Sequence, residues 1–286
     1  MIDRNELIEV VTRQVLATLA GQHTDQGLEN APQVVANGAA RIGYCGAAND
    51  VPKDLAQYID HTLLRPDASP TDIDQLCDEA AENGFAAVCI NPSWVARAKK
   101  RLRGTLITVA SVVGFPLGAN TPEIKAMEAR RALRDGAREI DMVINIGALK
   151  GGEHDLVRRD IAGVSDACRE VGALNKVIIE AAYLSDEEKV IACRLAVAGR
   201  AHYVKTSTGF GPGGATVFDV ALMREVVGAK VGVKAAGGIG GRNLKGSMIA
   251  WTISNELSSP APTPVIITRL LRSAFEVGPS TGSLVR

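Results

Sequence analysis

The sequence predicts an α/β fold: a (β/α)8 TIM barrel with an N-terminal amphipathic helix and linker. From residue 53 onward, short aliphatic runs alternate with helix-length amphipathic segments, at steps of roughly 25–30 residues. Hydrophobic residues make up 46% of the 286 residues and aromatic residues only 4%, which suits buried parallel strands covered by helices. This regularity favours one barrel domain over residues 53–286 rather than two domains.

Seven strands and six helices are predicted in alternation. The strand candidates are 58–63, 85–90, 106–113, 139–145, 176–181, 202–206 and 231–235. The helix candidates are 70–83, 93–103, 122–136, 153–172, 186–200 and 215–228. Thr121-Pro122-Glu123 and Ser185-Asp186-Glu187 are start signals for two of these helices, because they combine a capping side chain with proline or acidic residues.

The eighth strand is the weakest part of the pattern. Residues 240–286 are atypical, since the alternation stretches out and the proline-rich segment 258–264 is typical of a loop. We expect a helix at 264–273 and a strand at 274–278 to complete the barrel.

The N-terminal segment differs from the rest of the chain. Residues 4–20 are predicted to form an amphipathic helix, because apolar side chains recur at three-to-four spacing. Residues 21–52 are rich in Gly, Asn, Ala and Gln and are predicted to be a flexible linker. A short helix on such a tether cannot bury its apolar stripe alone, so we expect it to dock on the barrel or on a partner.

Charge and cysteine content exclude several classes of protein. Lys plus Arg and Asp plus Glu number 32 each, so no overall field attracts nucleic acid or a membrane surface. The five cysteines are odd in number and widely spaced, and the four histidines lack metal-ligand spacing, so neither a disulfide framework nor a metal site is expected. The acidic N-terminus is not that of a secretory signal, and we expect a cytoplasmic protein.

Two lysines late in adjacent strands point to chemistry. Lys205 and Lys234 would lie in one cavity, where burial and a second cation disfavour the ammonium form. Since an ordinary lysine has a pKa of about 10.4, such a shift would supply the free amine that a Schiff-base nucleophile needs. Asp141 would relay protons there. From position alone, structural ion pairs with Asp141 and Glu180 are an equal alternative.

Glycine and hydroxyl residues follow the last predicted strands. These are Ser207-Thr208-Gly209, Gly237-Gly238 and Gly278-Pro279-Ser280-Thr281-Gly282-Ser283. Glycines let backbone N–H groups approach an anion, and the loops after strands 7 and 8 are the usual phosphate site of a parallel barrel. The sequence therefore predicts a phosphate ester that carries a carbonyl group as substrate.

Six motifs in order resemble the deoxyribose-phosphate aldolase family over about residues 53–240. They are YIDHTLL at 58–64, VCINP at 88–92, VGFPLG at 113–118, EIDMVIN at 139–145, VKTSTGF at 204–210 and GVKAAGGI at 232–239. The resemblance implies class I cleavage of 2-deoxy-D-ribose 5-phosphate to acetaldehyde and D-glyceraldehyde 3-phosphate, with no cofactor or metal. It implies roles for ten residues: Lys205 as Schiff-base lysine, Lys234 as modulator of its pKa, Asp141 in proton transfer, and Asp60, Thr62, Thr206, Gly209, Gly237, Gly238 and Ser280 in substrate binding.

The N-terminal stripe resembles the encapsulation peptides of bacterial microcompartment cargo enzymes, which implies a shell protein as partner of residues 4–20. A homodimer is also expected. Three other interpretations stay open: another Schiff-base barrel such as a transaldolase or keto-acid aldolase, a non-catalytic sugar-phosphate-binding protein, and an assembly adaptor whose main part is the N-terminal helix.

Overall fold

The computed structural model describes residues 55–228, 230–239 and 265–270, and within them eight parallel strands form a closed barrel. Each strand pairs with its neighbour in chain order, and the last strand pairs with the first. The strands are β1 (Ile59–Leu63), β2 (Ala87–Ile90), β3 (Thr108–Val113), β4 (Glu139–Val143), β5 (Leu174–Ile178), β6 (Tyr203–Lys205), β7 (Gly232–Ala235) and β8 (Val265–Leu270).

The helices lie between the strands, as predicted. They are α1 (Pro70–Asn83), α2 (Val95–Arg101), α3 (Pro122–Asp135), α4 (Ile146–Lys150), α5 (His154–Arg169), α6 (Asp186–Ala198) and α7 (Val217–Val227). The start signal at Ser185 is confirmed: its hydroxyl accepts the N–H of Glu188, whose carboxylate accepts the N–H of Ser185. Short 3₁₀ turns occupy Leu55–Tyr58, Pro92–Trp94 and Ala181–Tyr183, and α4 is a short helix that the sequence pattern did not predict.

The prediction for the closing strand was wrong. The strand is Val265–Leu270, which lies inside the predicted helix 264–273, and the predicted strand 274–278 falls outside the described residues. The sequence VIIT at 265–268 consists of β-branched residues, which lose side-chain freedom in a helix and favour a strand.

Alternation along β4 separates an outer apolar core from the barrel interior. In β4, Ile140 and Met142 are fully buried in the main apolar core, which also contains Ile161 of α5. Asp141, between them, faces the interior and contacts side chains of other strands. Side chains of a strand point alternately to its two faces. Because Ile140 and Met142 point to the outer core, Asp141 points into the barrel.

One glycine fixes the loop after β3 against the end of β4. Gly118 has a φ of +69°, and an added Cβ would lie 1.8 Å from the carbonyl oxygen of Ile144. Gly84 has a similar φ of +64° but open space around it.

We expect Gly84→Ala to lower the free energy of unfolding by about 1 kcal/mol, from left-handed backbone strain alone. Gly118→Ala should lower it by about 3 kcal/mol, because the carbonyl must also move. Urea unfolding of the two variants measures the difference, and equal losses would show that the close approach at Gly118 is easily relieved.

Several sequence predictions lie outside the described residues: the helix at 4–20, the linker at 21–52, and Ser280. Within the described ranges, no helix has both the length and the apolar character that crossing a bilayer requires.

Candidate active site

Charged side chains from five strands meet inside the barrel. Asp60 of β1, Asp141 of β4, Lys176 of β5, Lys205 of β6 and Lys234 of β7 are each at most 1% exposed. The strand register brings them together, since Asp141 is paired with Lys176, and Lys205 with Lys234. Buried charges of this kind are stable only when they are paired, so their mutual contacts decide what the cavity can do.

The two lysines singled out from the sequence share one carboxylate oxygen. The Nζ atom of Lys205 lies 2.7 Å from Oδ2 of Asp141, and the Nζ atom of Lys234 lies 3.2 Å from the same oxygen. Lys234 also donates to Oδ2 of Asp60. The structure therefore places both amines in one pocket, with Asp141 between them.

Lys176 is a third lysine of this network, and it was missed in the sequence. Its Nζ atom lies 3.0 Å from Oδ1 of Asp141 and 3.2 Å from Oδ2 of Asp60, and it also donates to Oε2 of Glu139. Asp141 thus directs one oxygen to Lys176 and the other to Lys205 and Lys234. In the predicted strand 176–181, Lys176 lies on the same face as Ile178 and Glu180, which is a signal of an inward side chain, although the sequence does not show that its partner is Asp141.

The network contains three lysines and three carboxylates, and their contacts set the direction of several pKa shifts. Burial alone would raise the pKa of Asp141, but Lys176, Lys205 and Lys234 hold it well below its usual range. Burial alone would lower the pKa of Lys234, but Asp141 and Asp60 outweigh it and raise that pKa. Burial alone would also lower the pKa of Lys176, but Asp141, Asp60 and Glu139 outweigh burial and raise that pKa well above its ordinary value. Lys234 and Lys176 are therefore fixed cations at neutral pH.

An apolar wall lies beside Asp141. Cys89 is fully buried with its Sγ atom 4.0 Å from Oδ2 of Asp141, and it belongs to a small cluster with Leu64, Ala110 and Val112, against which Phe115 packs. Burial and the neighbouring Asp141 raise the pKa of the Cys89 thiol to about 11, so it stays protonated and unreactive. Cys89 is therefore a packing residue of this wall.

The hydroxyl groups of Thr62 and Thr206 are bonded to backbone. Thr62 donates to the carbonyl of Asp60 at 3.0 Å. Thr206 donates to the carbonyl of Ala236 and accepts the N–H of Ala236, both at 3.0 Å. The Thr206 hydroxyl therefore joins the loop after β6 to the loop after β7, and contact of Thr206 with substrate stays a prediction.

The glycine loops after β6 and β7 approach each other closely. A Cβ added to Gly237, whose φ is +83°, would lie 3.0 Å from the Cα of Gly214 and 3.1 Å from the Cβ of Ser207. Gly209 and Gly238 are also in the positive-φ region. The buried hydroxyl of Ser207 has no hydrogen-bond partner among the described residues, which leaves it available to a ligand.

The alternative left open by the sequence was ion pairs of the two lysines with Asp141 and Glu180, and of these two carboxylates only Asp141 pairs with them. The Glu180 carboxylate accepts the N–H of Thr208 at 3.2 Å and also the hydroxyl of Thr208. Burial raises the pKa of Glu180, an effect that the Thr208 hydrogen bonds only partly offset. Among the described residues, no group of three His, Cys, Asp or Glu side chains is arranged to hold a metal ion.

Comparisons with known proteins agree on one family. Residues 55–252 match the model of the DeoC/LacD family aldolases. The chain is 59% identical over 186 residues to a deoxyribose-phosphate aldolase of Geobacillus sp. (strain WCH70), a match that covers 65% of this chain and 83% of the relative. It is 60% identical over 188 residues to a deoxyribose-phosphate aldolase of Thermococcus gammatolerans, covering 65% and 84%.

Solved structures give the same result. A candidate deoxyribose-phosphate aldolase from Coccidioides immitis superposes with a TM-score of 0.68 at 33% identity, covering 92% of this chain and 93% of the other. The deoxyribose phosphate aldolase of Aeropyrum pernix, described as a tetramer, superposes with a TM-score of 0.67 at 29% identity, covering 84% and 93%.

Proposed function

Because the chain belongs to the DeoC/LacD aldolase family, we propose that it is a deoxyribose-phosphate aldolase. It reversibly cleaves 2-deoxy-D-ribose 5-phosphate to acetaldehyde and D-glyceraldehyde 3-phosphate. The relatives at 59% and 60% identity, both named for this activity, support the substrate. The observation that carries the mechanism is the contact of Lys205 and Lys234 with the same oxygen of Asp141 inside the barrel.

Lys205 is the nucleophile in this proposal. Its amine attacks the C1 aldehyde of the open-chain sugar, and loss of water from the adduct gives a protonated imine. The C3 hydroxyl then loses its proton and the C2–C3 bond breaks. The bonding electrons move into the imine, glyceraldehyde 3-phosphate leaves, and protonation of the enamine at C2 followed by hydrolysis releases acetaldehyde. The protonated imine is the electron sink, so the reaction needs no metal.

The charge balance of the network favours these steps. The Lys234 ammonium is a fixed positive charge beside Lys205, since both amines contact the same oxygen of Asp141. Asp141 accepts a hydrogen bond from Lys205 and, because its own pKa is low, does not retain a proton, so it is suited to relay protons. The protonated imine on Lys205 carries a positive charge, which the neighbouring Asp141 carboxylate stabilises.

The substrate phosphate is proposed to bind at the loops after β6 and β7. Gly209, Gly237 and Gly238 permit close approach of the backbone, and the buried Ser207 hydroxyl supplies a donor. Ser280, outside the described residues, stays a predicted ligand of the same group. Asp60, beside Lys234, stays a predicted contact of the substrate hydroxyls.

Borohydride trapping tests the imine. The protein incubated with acetaldehyde and borohydride should gain one reduced adduct, and peptide mapping should place it on Lys205. Cleavage of deoxyribose 5-phosphate should proceed equally with and without a chelator. Trapping by a keto acid and not by acetaldehyde would favour another Schiff-base aldolase, and binding of sugar phosphate without trapping would favour a non-catalytic protein.

We also propose a cytoplasmic homodimer whose residues 4–20 bind a microcompartment shell protein. The support is the apolar stripe of this segment and its separation from the barrel by residues 21–52. Deletion of residues 1–20 should abolish co-sedimentation with shell particles while leaving kcat unchanged, and retention of co-sedimentation would contradict the proposal.

The proposed homodimer is tested separately. Light scattering measures the number of subunits in the particle, and a tetramer would replace the dimer.

A further inference from the structure

Glu180 has an unusual backbone conformation at the mouth of the barrel. It follows β5 with a φ of +54°, in the left-handed region, although it is not a glycine. This conformation costs free energy for a residue with a Cβ, and such strain persists only where surrounding contacts impose it. The side chain is 1% exposed, so those contacts are made inside the protein.

The hydrogen bonds of the Glu180 carboxylate are made to the loop after β6. The carboxylate accepts both donors of Thr208, and the Thr208 hydroxyl in turn accepts the N–H of Phe210 at 3.0 Å. Gly211 lies against the same carboxylate, since an added Cβ would be 3.1 Å from Glu180 Oε1. One carboxylate therefore fixes the loop from Thr208 to Gly211.

This fixed segment contains one of the proposed phosphate ligands and adjoins another. Gly209 lies within it and Ser207 immediately precedes it. Because Glu180 uses the N–H and the hydroxyl of Thr208, these donors are directed away from a bound phosphate. The unpartnered hydroxyl of Ser207 is left to the ligand. Glu180 thus binds the two donors of Thr208 and leaves the Ser207 hydroxyl as a donor for the ligand.

We propose that Glu180 is a positioning residue for the phosphate end of the substrate, acting through Thr208 and not on the imine. The inference rests on the proposed function for its substrate. Loss of the carboxylate should weaken binding of phosphorylated substrate and leave an unphosphorylated one unaffected, because only the former uses the loop.

The test compares two substrates and two variants. In Glu180→Ala the KM for deoxyribose 5-phosphate should rise about tenfold or more, as expected for loss of charge-assisted hydrogen bonds. Its kcat, its kcat/KM for unphosphorylated 2-deoxyribose and borohydride trapping at Lys205 should stay within about threefold of the parent values. Thr208→Val should show the same pattern, because it removes the hydroxyl that joins Glu180 to Phe210. The double variant should lose less than the sum of the two single effects, since they share the Thr208–Glu180 hydroxyl bond.

Two further variants separate positioning from a general structural loss. Glu180→Gln keeps an acceptor oxygen and should recover part of the KM effect, and Glu82→Ala, an exposed carboxylate of α1, should change nothing. An unchanged KM for deoxyribose 5-phosphate in Glu180→Ala, or an equal loss with both substrates, would overturn the inference. A parent protein that neither cleaves nor traps would instead overturn the proposed function. Inorganic phosphate, titrated by calorimetry, would then still report whether Glu180→Ala weakens the anion site.

Discussion

Lys205→Arg is expected to lower kcat for cleavage of deoxyribose 5-phosphate by about 10³-fold or more, with the fold intact. Arginine keeps a hydrogen-bond donor beside Asp141, whose Oδ2 atom lies 2.7 Å from Lys205 Nζ in the parent protein. A guanidinium stays protonated and cannot form the imine. The change therefore removes the nucleophile and preserves the contact with Asp141.

The same assay separates the catalytic interpretation from the ion-pair interpretation. If the three lysines served only as counter-ions of the carboxylates, Lys205→Arg would leave the function nearly unchanged. Lys100→Arg, on the exposed surface of α2, is the matched control and should retain full activity and trapping. Borohydride adducts mapped to Lys234 in the parent protein would reverse the proposed roles of the two lysines.

The sequence predicted the order of elements well, because each element carries its own periodicity. The helix predicted at 70–83 is α1, Pro70–Asn83, and its N-terminus is fixed by Ser69 and Asp72, three residues apart. The strand predicted at 176–181 instead ends at Ile178. The left-handed backbone at Glu180 is imposed by its contacts with the loop after β6, which a local pattern does not contain.

The site was only partly predictable, because a local sequence pattern does not contain the contacts between distant strands. Lys205, Lys234 and Asp141 stood out as polar residues late in aliphatic strands, and the structure brings them together. Lys176 lies near the start of its predicted strand, where a charged residue usually marks the exposed end. Only the register of β4 with β5 shows that it faces Asp141. The pairing of β8 with β1 is likewise a long-range contact, and it decides where the barrel closes.

Lys176→Met is expected to lower the free energy of unfolding at pH 7 by about 4 kcal/mol, because it leaves buried carboxylates without their counter-ion. Lys176 contacts Asp60, Asp141 and Glu139, and its side chain is fully buried. Methionine matches the length of the lysine stem, so the loss comes from charge and not from a cavity. The activity should fall as well, since Lys176 holds the Oδ1 atom that keeps Asp141 oriented toward Lys205.

The pH dependence of the free energy of unfolding shows whether the buried charges cause the stability loss in Lys176→Met. In the parent protein the pKa values of Asp60 and Asp141 are lowered, so their stabilisation is present above the unfolded-state pKa of about 3.9 and is lost as pH falls through the folded values. The pKa values of Lys176 and Lys234 are raised, so their stabilisation is present below about 10.4 and is lost as pH rises through the folded values. The contribution of these four groups should therefore be constant between pH 5 and pH 9.

The variant should instead become more stable as the pH falls from 7 to 5. Burial already raises the pKa of Glu139 in the parent protein, and without Lys176 the strongest opposing effect is lost, so protonation of Glu139 stabilises the folded variant. Urea unfolding at pH 5, 6 and 7 measures this slope, with exposed Lys100→Met as the control. The double variant Lys176→Met/Glu139→Gln removes one charge of each sign and should recover part of the loss. A variant as stable as the parent at pH 7, or one that loses further stability on acidification, would show that Lys176 is not the counter-ion on which the buried carboxylates depend.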